Sequence, residues 1–256
     1  MPFTLSHAVL APPLSKLSKG HLPLAALAIG CMTPDLYRLF TQENINLTHQ
    51  WAGLLFPNLP IGLFFCLLWY LIYRPVIYRI LGIQHPLNLH SFDHALSFLF
   101  MNCLGISIGI ATHLIWDGLT HLDFRTFAFK EILAQNISLL GFHYPLHFVL
   151  QIGSSIIALP FLMKMCWNYY KTHQHHHPVP SRLKGFALIS MILSIFYGLF
   201  SVFDYNRHIS ADLWNSERYF FIGKSINEFT QAGLTVFTMA CLLFLFWDRT
   251  ERLKSF

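Results

Sequence analysis

The amino-acid sequence predicts an all-α, polytopic integral membrane protein with about five transmembrane helices and short N-terminal helices. Of its 256 residues, 54% are hydrophobic and 11% are charged, and the mean hydropathy is +0.48. Soluble domains carry about 25% charged residues. The apolar residues also form uninterrupted stretches of roughly 20 residues, the length that crosses a hydrocarbon core of about 30 Å. Composition and segment length therefore both indicate a membrane protein.

Six apolar segments follow one another along the chain. The first, Leu22–Met32, is too short to span, carries Pro23 at its start and is followed by Pro34, so we expect a half-embedded helix. Five longer segments predict the spans: Ala52–Tyr73, Ala95–Trp116, His147–Trp167, Phe186–Phe203 and Phe229–Trp247. We expect residues 1–167 to form the helical membrane core that holds the functional site, and residues 168–256 to add a C-terminal pair of transmembrane helices.

The basic residues predict the orientation of the helices. Five spans place the two termini on opposite sides, and Lys and Arg are about twice as dense in the segments on the C-terminal side as in the others. Cytoplasmic loops are enriched in these residues, which predicts a cytoplasmic C-terminus. The formal net charge of +5 is spread thinly beside the spans. It therefore favours membrane lipids as partners over nucleic acid, and the sequence identifies no protein partner.

One motif carries most of the chemical information. The segment ATHLIWDGLTH, residues 111–121, ends the second long apolar stretch and spaces His113, Asp117 and His121 four residues apart. Four residues advance a helix by about 400°, so the three side chains fall within an arc of roughly 80° on one face. A carboxylate in an apolar helix is costly unless it has a partner or a function. The pattern predicts a site for one metal ion or two adjacent ions, with a hydrogen-bonded His–Asp ladder as the alternative.

A complete metal shell needs ligands from elsewhere in the chain. Three candidates lie on the same predicted side of the membrane as the motif: His7 in TLSH, Asp35 after Pro34 in GCMTPD, and His49 in LTHQWAG, just before the first span. We expect Pro34 to end the short apolar helix in a turn that directs Asp35 back toward the membrane face.

A second pair with helical spacing opens the third span. His147 and Gln151 lie four residues apart in LHFVLQIGSS, so they share a helix face. Both are candidate ligands, and hydrogen bonding between helices is the alternative.

These segments together carry a resemblance. MPFTLSH, LPLAALAIGCMTPD, THQWAGLLF, ATHLIWDGLTH and LHFVLQIGSS make residues 1–165 similar to an uncharacterised bacterial membrane family, the domain-of-unknown-function 4184 group. More distantly, the order of the residues resembles the zinc-dependent phospholipase C and nuclease superfamily, and the inner-membrane metal-dependent hydrolases related to it.

The distant resemblance implies a zinc centre that activates water against a phosphodiester. It also implies a set of metal ligands: His7, Asp35, His49, His113, Asp117 and His121, with His147 and Gln151 in the place of a final HxxxE. Asp117 would be the catalytic, metal-bridging carboxylate. Gln151 departs from the pattern, because an amide is a weak, neutral ligand that cannot bridge ions. We therefore expect one or two ions instead of a full cluster.

Three functions are open at this point. The leading expectation is a metal-dependent hydrolase of the bacterial inner membrane, acting at the periplasmic face on phosphoesters of lipids or lipid-linked substrates. The alternative is a non-catalytic membrane protein in which the same residues form a structural metal or hydrogen-bond site. The third is a small transporter, which would place polar groups near mid-bilayer on several helices.

Overall fold

Five long helices dominate the computed structural model, which describes residues 4–39, 41, 46–139, 141–175 and 178–247. Each is long and apolar enough to cross a membrane: Trp51–Leu81, Phe92–Thr120, Leu146–His173, Ser181–Asn206 and Arg218–Trp247. All five contain a span predicted from the sequence and extend beyond it at one or both ends. The all-α, polytopic fold class is thereby confirmed.

The first span is a chain of short helical pieces. Pro57, Pro60 and Pro75 lie within it, and each lacks the backbone N–H that a regular helix needs. Successive turns consequently change between 3-10, π and α geometry. The pieces are a 3-10 turn Trp51–Gly53, a π turn Leu54–Asn58, α3 Leu59–Leu68, a π turn Trp69–Tyr73 and α4 Arg74–Leu81.

The N-terminal segment folds as a helical hairpin. Its first limb is a 3-10 helix, Thr4–Leu10, followed by α1, Ala11–Leu17, and its second limb is α2, Leu24–Leu36. The Thr4 hydroxyl donates to Asp35 Oδ2 at 2.8 Å, so the outer ends of the two limbs meet. At about 1.5 Å per residue, α2 measures roughly 20 Å and is too short to span. This agrees with the short helix predicted for Leu22–Met32.

One local expectation for this hairpin is wrong. Pro34 does not end the helix, because α2 continues through it to Leu36 and Asp35 lies in the last helical turn. Proline removes only one hydrogen bond there, and Thr33 keeps its hydroxyl on Ile29 O at 2.8 Å.

Helix α2 packs directly against the second span, α5, which runs from Phe92 to Thr120. Glycines make the approach possible: a Cβ atom on Gly30 would lie 2.4 Å from Ile106 O, and one on Gly109 would lie 2.5 Å from Leu27 O and 2.6 Å from Cys31 N. Backbone-to-backbone contact of this kind is typical of small residues between membrane helices. It fixes the end of α2 beside the end of α5.

The connections after α5 form a small cap at the same end of the molecule. The helix α6, Lys130–Leu133, leads into an antiparallel hairpin of β1, Asn136–Leu139, and β2, Phe142–Pro145. Gly141 supports the tight turn with a φ of +83°. The sequence analysis did not predict these strands.

The last two spans pack along each other. They are α8, Ser181–Asn206, and α10, Arg218–Trp247, joined by the short α9, Ala211–Ser216; the third span, Leu146–His173, is α7. Polar contacts connect α10 to its neighbours, since Ser201 of α8 donates to Glu228 at 3.0 Å and Tyr73 and Thr238 share a 2.7 Å hydrogen bond.

Candidate metal centre

The carboxylate of Asp117 lies at the centre of a buried polar cluster. Asp117 is in the last turn of α5 and is fully buried. Its Oδ1 is 3.7 Å from His121 Nδ1 and 3.9 Å from His7 Nε2. Its Oδ2 is 3.5 Å from His113 Nε2 and 3.9 Å from His49 Nε2. Each oxygen therefore faces a different pair of imidazoles.

Backbone carbonyls orient two of these imidazoles. His113 Nδ1 is 2.7 Å from Cys31 O, and His121 Nδ1 is 3.1 Å from Asp117 O. A carbonyl only accepts, so each Nδ1–H donates, and a neutral ring then carries its lone pair on Nε2. In a metal-binding histidine, one ring nitrogen binds the ion, and the other commonly donates its N–H to a carbonyl or carboxylate that fixes the ring.

His121 reaches the cluster by a different route from the one predicted. Helix α5 ends at Thr120, and His121 is the C-cap residue with extended backbone angles, φ −115° and ψ 156°. The third member of the motif is thus positioned by the helix terminus and not by the helix face.

The N-terminal hairpin contributes His7 and Asp35. The His7 ring stacks on His113 with centroids 4.1 Å apart. Ser6 holds this segment in place, because its hydroxyl donates to Ser155 O of α7 at 2.9 Å. Because the outer ends of both limbs lie at the cluster, His7 and Asp35 come together there although they are far apart in the sequence.

Asp35 and His49 form the closest carboxylate–imidazole pair, with Asp35 Oδ1 and His49 Nε2 3.1 Å apart. His49 ends the 3-10 helix Asn46–His49, which precedes the first span. Asn58 fixes that turn, since its amide donates to Thr48 O at 2.7 Å. The irregular start of the first span therefore positions a ligand-capable side chain.

The donor set and its unsatisfied atoms fit a divalent cation. Among the residues that the structure describes, two groups could hold a metal ion, with ligand atoms within 4.8 Å of one another: His7, Asp35 and His113, and His49, His113 and Asp117. Four buried atoms of the cluster lack a hydrogen-bond partner among the described residues: His7 Nδ1, His113 Nε2, Asp117 Oδ1 and His121 Nε2. An unpaired buried polar atom costs about 1–3 kcal/mol. A hydrogen-bond ladder alone leaves all four unpaired, whereas imidazole nitrogen and carboxylate oxygen are ordinary ligands of Zn²⁺.

Burial lowers the pKa of the three cluster histidines that lie outside the spans, which favours their neutral form. It lowers the pKa of His7 to about 3, with a further decrease from the neighbouring His113. It lowers the pKa of His121 to about 4. It also lowers the pKa of His49, although the hydrogen bond to Asp35 acts in the opposite direction. Neutral imidazoles are the form that binds metal ions.

The structure does not bring every predicted site residue into the cluster. His147 is half-buried, and no hydrogen bond or ion pair joins it to the cluster within the part of the chain that the structure describes. The Gln151 amide donates to Tyr219 at the start of α10 at 2.7 Å. The use of these residues as ligands stays a prediction, as does that of the six that lie together.

The sequence analysis missed two arginines at the cluster. Arg125 Nη1 donates to Asp117 Oδ2 at 3.1 Å, and Arg38 Nη1 is 3.8 Å from Asp35 Oδ1. Each arginine is a single basic residue outside any recurring motif. The only available signal was proximity in sequence, since Arg38 follows Asp35 by three residues and Arg125 follows His121 by four.

Fold and site together define a class: a polytopic α-helical membrane protein with a buried His/Asp cluster at one end of its spans. Within that class, the chain belongs to the DUF4184 family, a domain of unknown function whose family model matches residues 1–243. The match extends past the segments that carried the resemblance and includes most of the last span. No curated protein and no solved structure matches the chain.

Proposed function

We propose that this protein is a metal-dependent hydrolase, acting on phosphoesters of lipids or lipid-linked molecules at the outer face of the bacterial inner membrane. The observation that carries the proposal is that four buried ligand atoms of the cluster, one of them on Asp117, have no hydrogen-bond partner among the described residues. Zinc is the preferred ion, because histidine nitrogens and carboxylate oxygens suit it. When bound, it would lower the pKa of a coordinated water toward about 7 and polarise the substrate oxygen.

We assign different roles to the residues of the cluster. His113 and His121 are held with Nε2 available by their Nδ1–H bonds to carbonyls. The two oxygens of Asp117 lie near the Nε2 atoms of different imidazoles, so Asp117 would be a ligand of one ion or of two. Asp35 accepts from Thr4 and contacts His49, and these contacts hold both side chains in one orientation.

The surroundings of the cluster support a substrate at the membrane surface. Large apolar side chains are exposed on the segments at this end of the spans: Trp51, Phe124, Phe129 and Phe142. Exposed apolar groups at the end of transmembrane helices lie at the depth of lipid headgroups. A phosphoester carried by a lipid would be presented at the same depth.

The test is hydrolysis of phospholipids and of bis(p-nitrophenyl) phosphate by detergent-purified protein, with and without added Zn²⁺ or Mn²⁺. We expect phosphodiester cleavage that requires the ion and is lost in Asp117→Asn. His208→Ala is the matched control, because His208 lies at the same end but contacts Arg207. Activity that survives in Asp117→Asn, or metal-loaded protein that cleaves none of the substrates, would contradict the proposal.

A structural metal site is the second candidate, and one observation favours it. The six clustered residues are between 0% and 5% exposed, and structural zinc sites are closed to solvent. In this case Asp117→Asn lowers the melting temperature and no hydrolysis is found with any loaded preparation.

A further inference from the structure

Each carboxylate of the cluster has an arginine beside it. Arg125 Nη1 is 3.1 Å from Asp117 Oδ2, and Arg38 Nη1 is 3.8 Å from Asp35 Oδ1. The two arginines come from different parts of the chain: Arg38 lies in the 3-10 turn Tyr37–Leu39 after α2, and Arg125 lies in the loop after α5. Two separate segments of the chain therefore each bring an arginine to the cluster.

The charge balance of the cluster indicates that these arginines could also bind an anionic ligand. Asp35 and Asp117 are buried, and a buried carboxylate needs a compensating charge. A divalent ion on the same carboxylates would supply that charge. With that ion bound, the positive charges of the ion and the two arginines would exceed the negative charges of Asp35, Asp117 and Asp123 by one. This excess favours an anionic ligand at the edge of the site.

The loop around Arg125 holds its guanidinium in place. Asp123 binds it as a forked ion pair and also accepts from the Arg125 backbone N–H at 2.9 Å. The Thr126 hydroxyl closes the loop on His121 O at 2.6 Å. Phe127 packs against Gly118 so closely that a Cβ there would lie 2.1 Å from the ring. The orientation of Arg125 is thus fixed by contacts that do not depend on Asp117.

Both arginine side chains are partly accessible to solvent. The side chain of Arg125 is 13% exposed and that of Arg38 is 35% exposed. This exposure gives a ligand access to the two arginines from the solvent, whereas the histidines of the cluster are buried. The planar guanidinium fork matches the oxygens of a phosphate group, and such charge-assisted hydrogen bonds are roughly twice as strong as neutral ones.

We infer that Arg125 and Arg38 bind the phosphate group of the substrate, which makes them the residues that select phosphoesters over other esters. The inference rests on the proposed function, because the arginines act on a substrate held at the metal centre. It assigns a role to two residues that the ligand set does not use.

The experiment measures binding of inorganic phosphate to Zn²⁺-loaded, detergent-purified protein by calorimetry. The loss of a charge-assisted hydrogen bond predicts that Arg125→Gln and Arg38→Gln each weaken phosphate binding by about tenfold or more. Arg125→Lys should fall between Arg125→Gln and the unaltered protein. Arg207→Gln is the matched control, since Arg207 lies at the same end of the spans in an exposed ion pair with Asp204, and it should bind phosphate normally.

Metal content is measured on the same samples, so the possible failures are separable. Unchanged phosphate binding in both glutamine variants, with metal retained, overturns the inference and leaves the proposed function standing. Loss of metal in Arg125→Gln also overturns it, because Arg125 would then serve to position Asp117. A protein that binds no metal in any form fails the proposed function itself.

A second comparison identifies the source of the phosphate. The loaded protein is placed in nanodiscs of phosphatidylcholine with or without phosphatidate, and inorganic phosphate is titrated again. If the arginines take a lipid phosphate, phosphatidate weakens the binding of inorganic phosphate, and Arg125→Gln removes that competition. If the substrate is water-soluble, disc composition has no effect while the arginine dependence remains. Phosphate binding independent of both arginines in discs contradicts the inference.

Discussion

Individual residues of the cluster differ in how far their positions could be predicted. The spacing of His113 and Asp117 places them on one helix face, because helical periodicity is local. His7 and Asp35 meet that face only through the hairpin fold, which no spacing encodes. Their predicted side of the membrane made them candidates, and the family resemblance then implied that they are ligands. Arg125 carries no pattern and could not be predicted, since a single arginine in a loop is ordinary. The spacing of residues thus predicted the local geometry of one helix.

The structure predicts that His49 is a metal ligand and that His147 is not. His49 contacts Asp35 at 3.1 Å, whereas His147 makes no described contact with the cluster. We expect His49→Ala to weaken metal affinity more than about tenfold, as losses at metal sites commonly do, and His147→Ala to leave it unchanged. Equilibrium dialysis against Zn²⁺ measures both. Equal losses in the two variants would restore His147 to the ligand set and contradict the arrangement described above.

Whole elements were predicted better than their boundaries and internal irregularities. Apolar length alone located five spans, because the membrane requires it. The π turns of the first span, the cap position of His121 and the strands β1 and β2 depend on tertiary contacts. The close packing of α2 on α5 is one such contact, and it keeps Asp35 beside Asp117.

The α2–α5 contact predicts a stability difference between two glycines. A methyl group at Gly109 would meet backbone atoms of Leu27 and Cys31, whereas a Cβ at Gly153 of α7 would meet nothing within 4 Å. Gly109→Ala should therefore destabilise the protein by about 1–3 kcal/mol, the usual cost of overpacking. Gly153→Ala is the matched control and should leave the melting temperature unchanged or slightly higher. Thermal unfolding in detergent measures both, and equal melting temperatures would show that the helices are not in backbone contact.

At the scale of the whole molecule, five spans put the cluster at one membrane face. The segments that meet there are the N-terminal hairpin, the turn before the first span, the loop after α5 and the connection between α8 and α10. Which face this is rests on the distribution of basic residues, and Arg249, Arg252 and Lys254, which contribute to it, lie outside the described residues.

Cysteine labelling tests this orientation. Ala211 lies in α9 at the end that holds the cluster, His90 lies between the first two spans at the other end, and both are exposed. A membrane-impermeant maleimide should label Ala211→Cys in intact spheroplasts and should label His90→Cys only after the membrane is opened. The unaltered protein, with its own five cysteines, gives the background. The reverse pattern would place the cluster in the cytoplasm and would refute an outer-face hydrolase.

The central claim is that the cluster around Asp117 binds metal, and elemental analysis of purified protein tests it most directly. The comparison is between the unaltered protein, Asp117→Asn and Asp204→Asn, where Asp204 is a half-exposed aspartate at the same end, ion-paired with Arg207. All three are measured as monodisperse fractions after size exclusion. We predict about one or two equivalents of zinc or a similar ion in the unaltered protein and in Asp204→Asn, and almost none in Asp117→Asn. A metal-free unaltered protein, or a metal content unchanged by Asp117→Asn, would contradict the account.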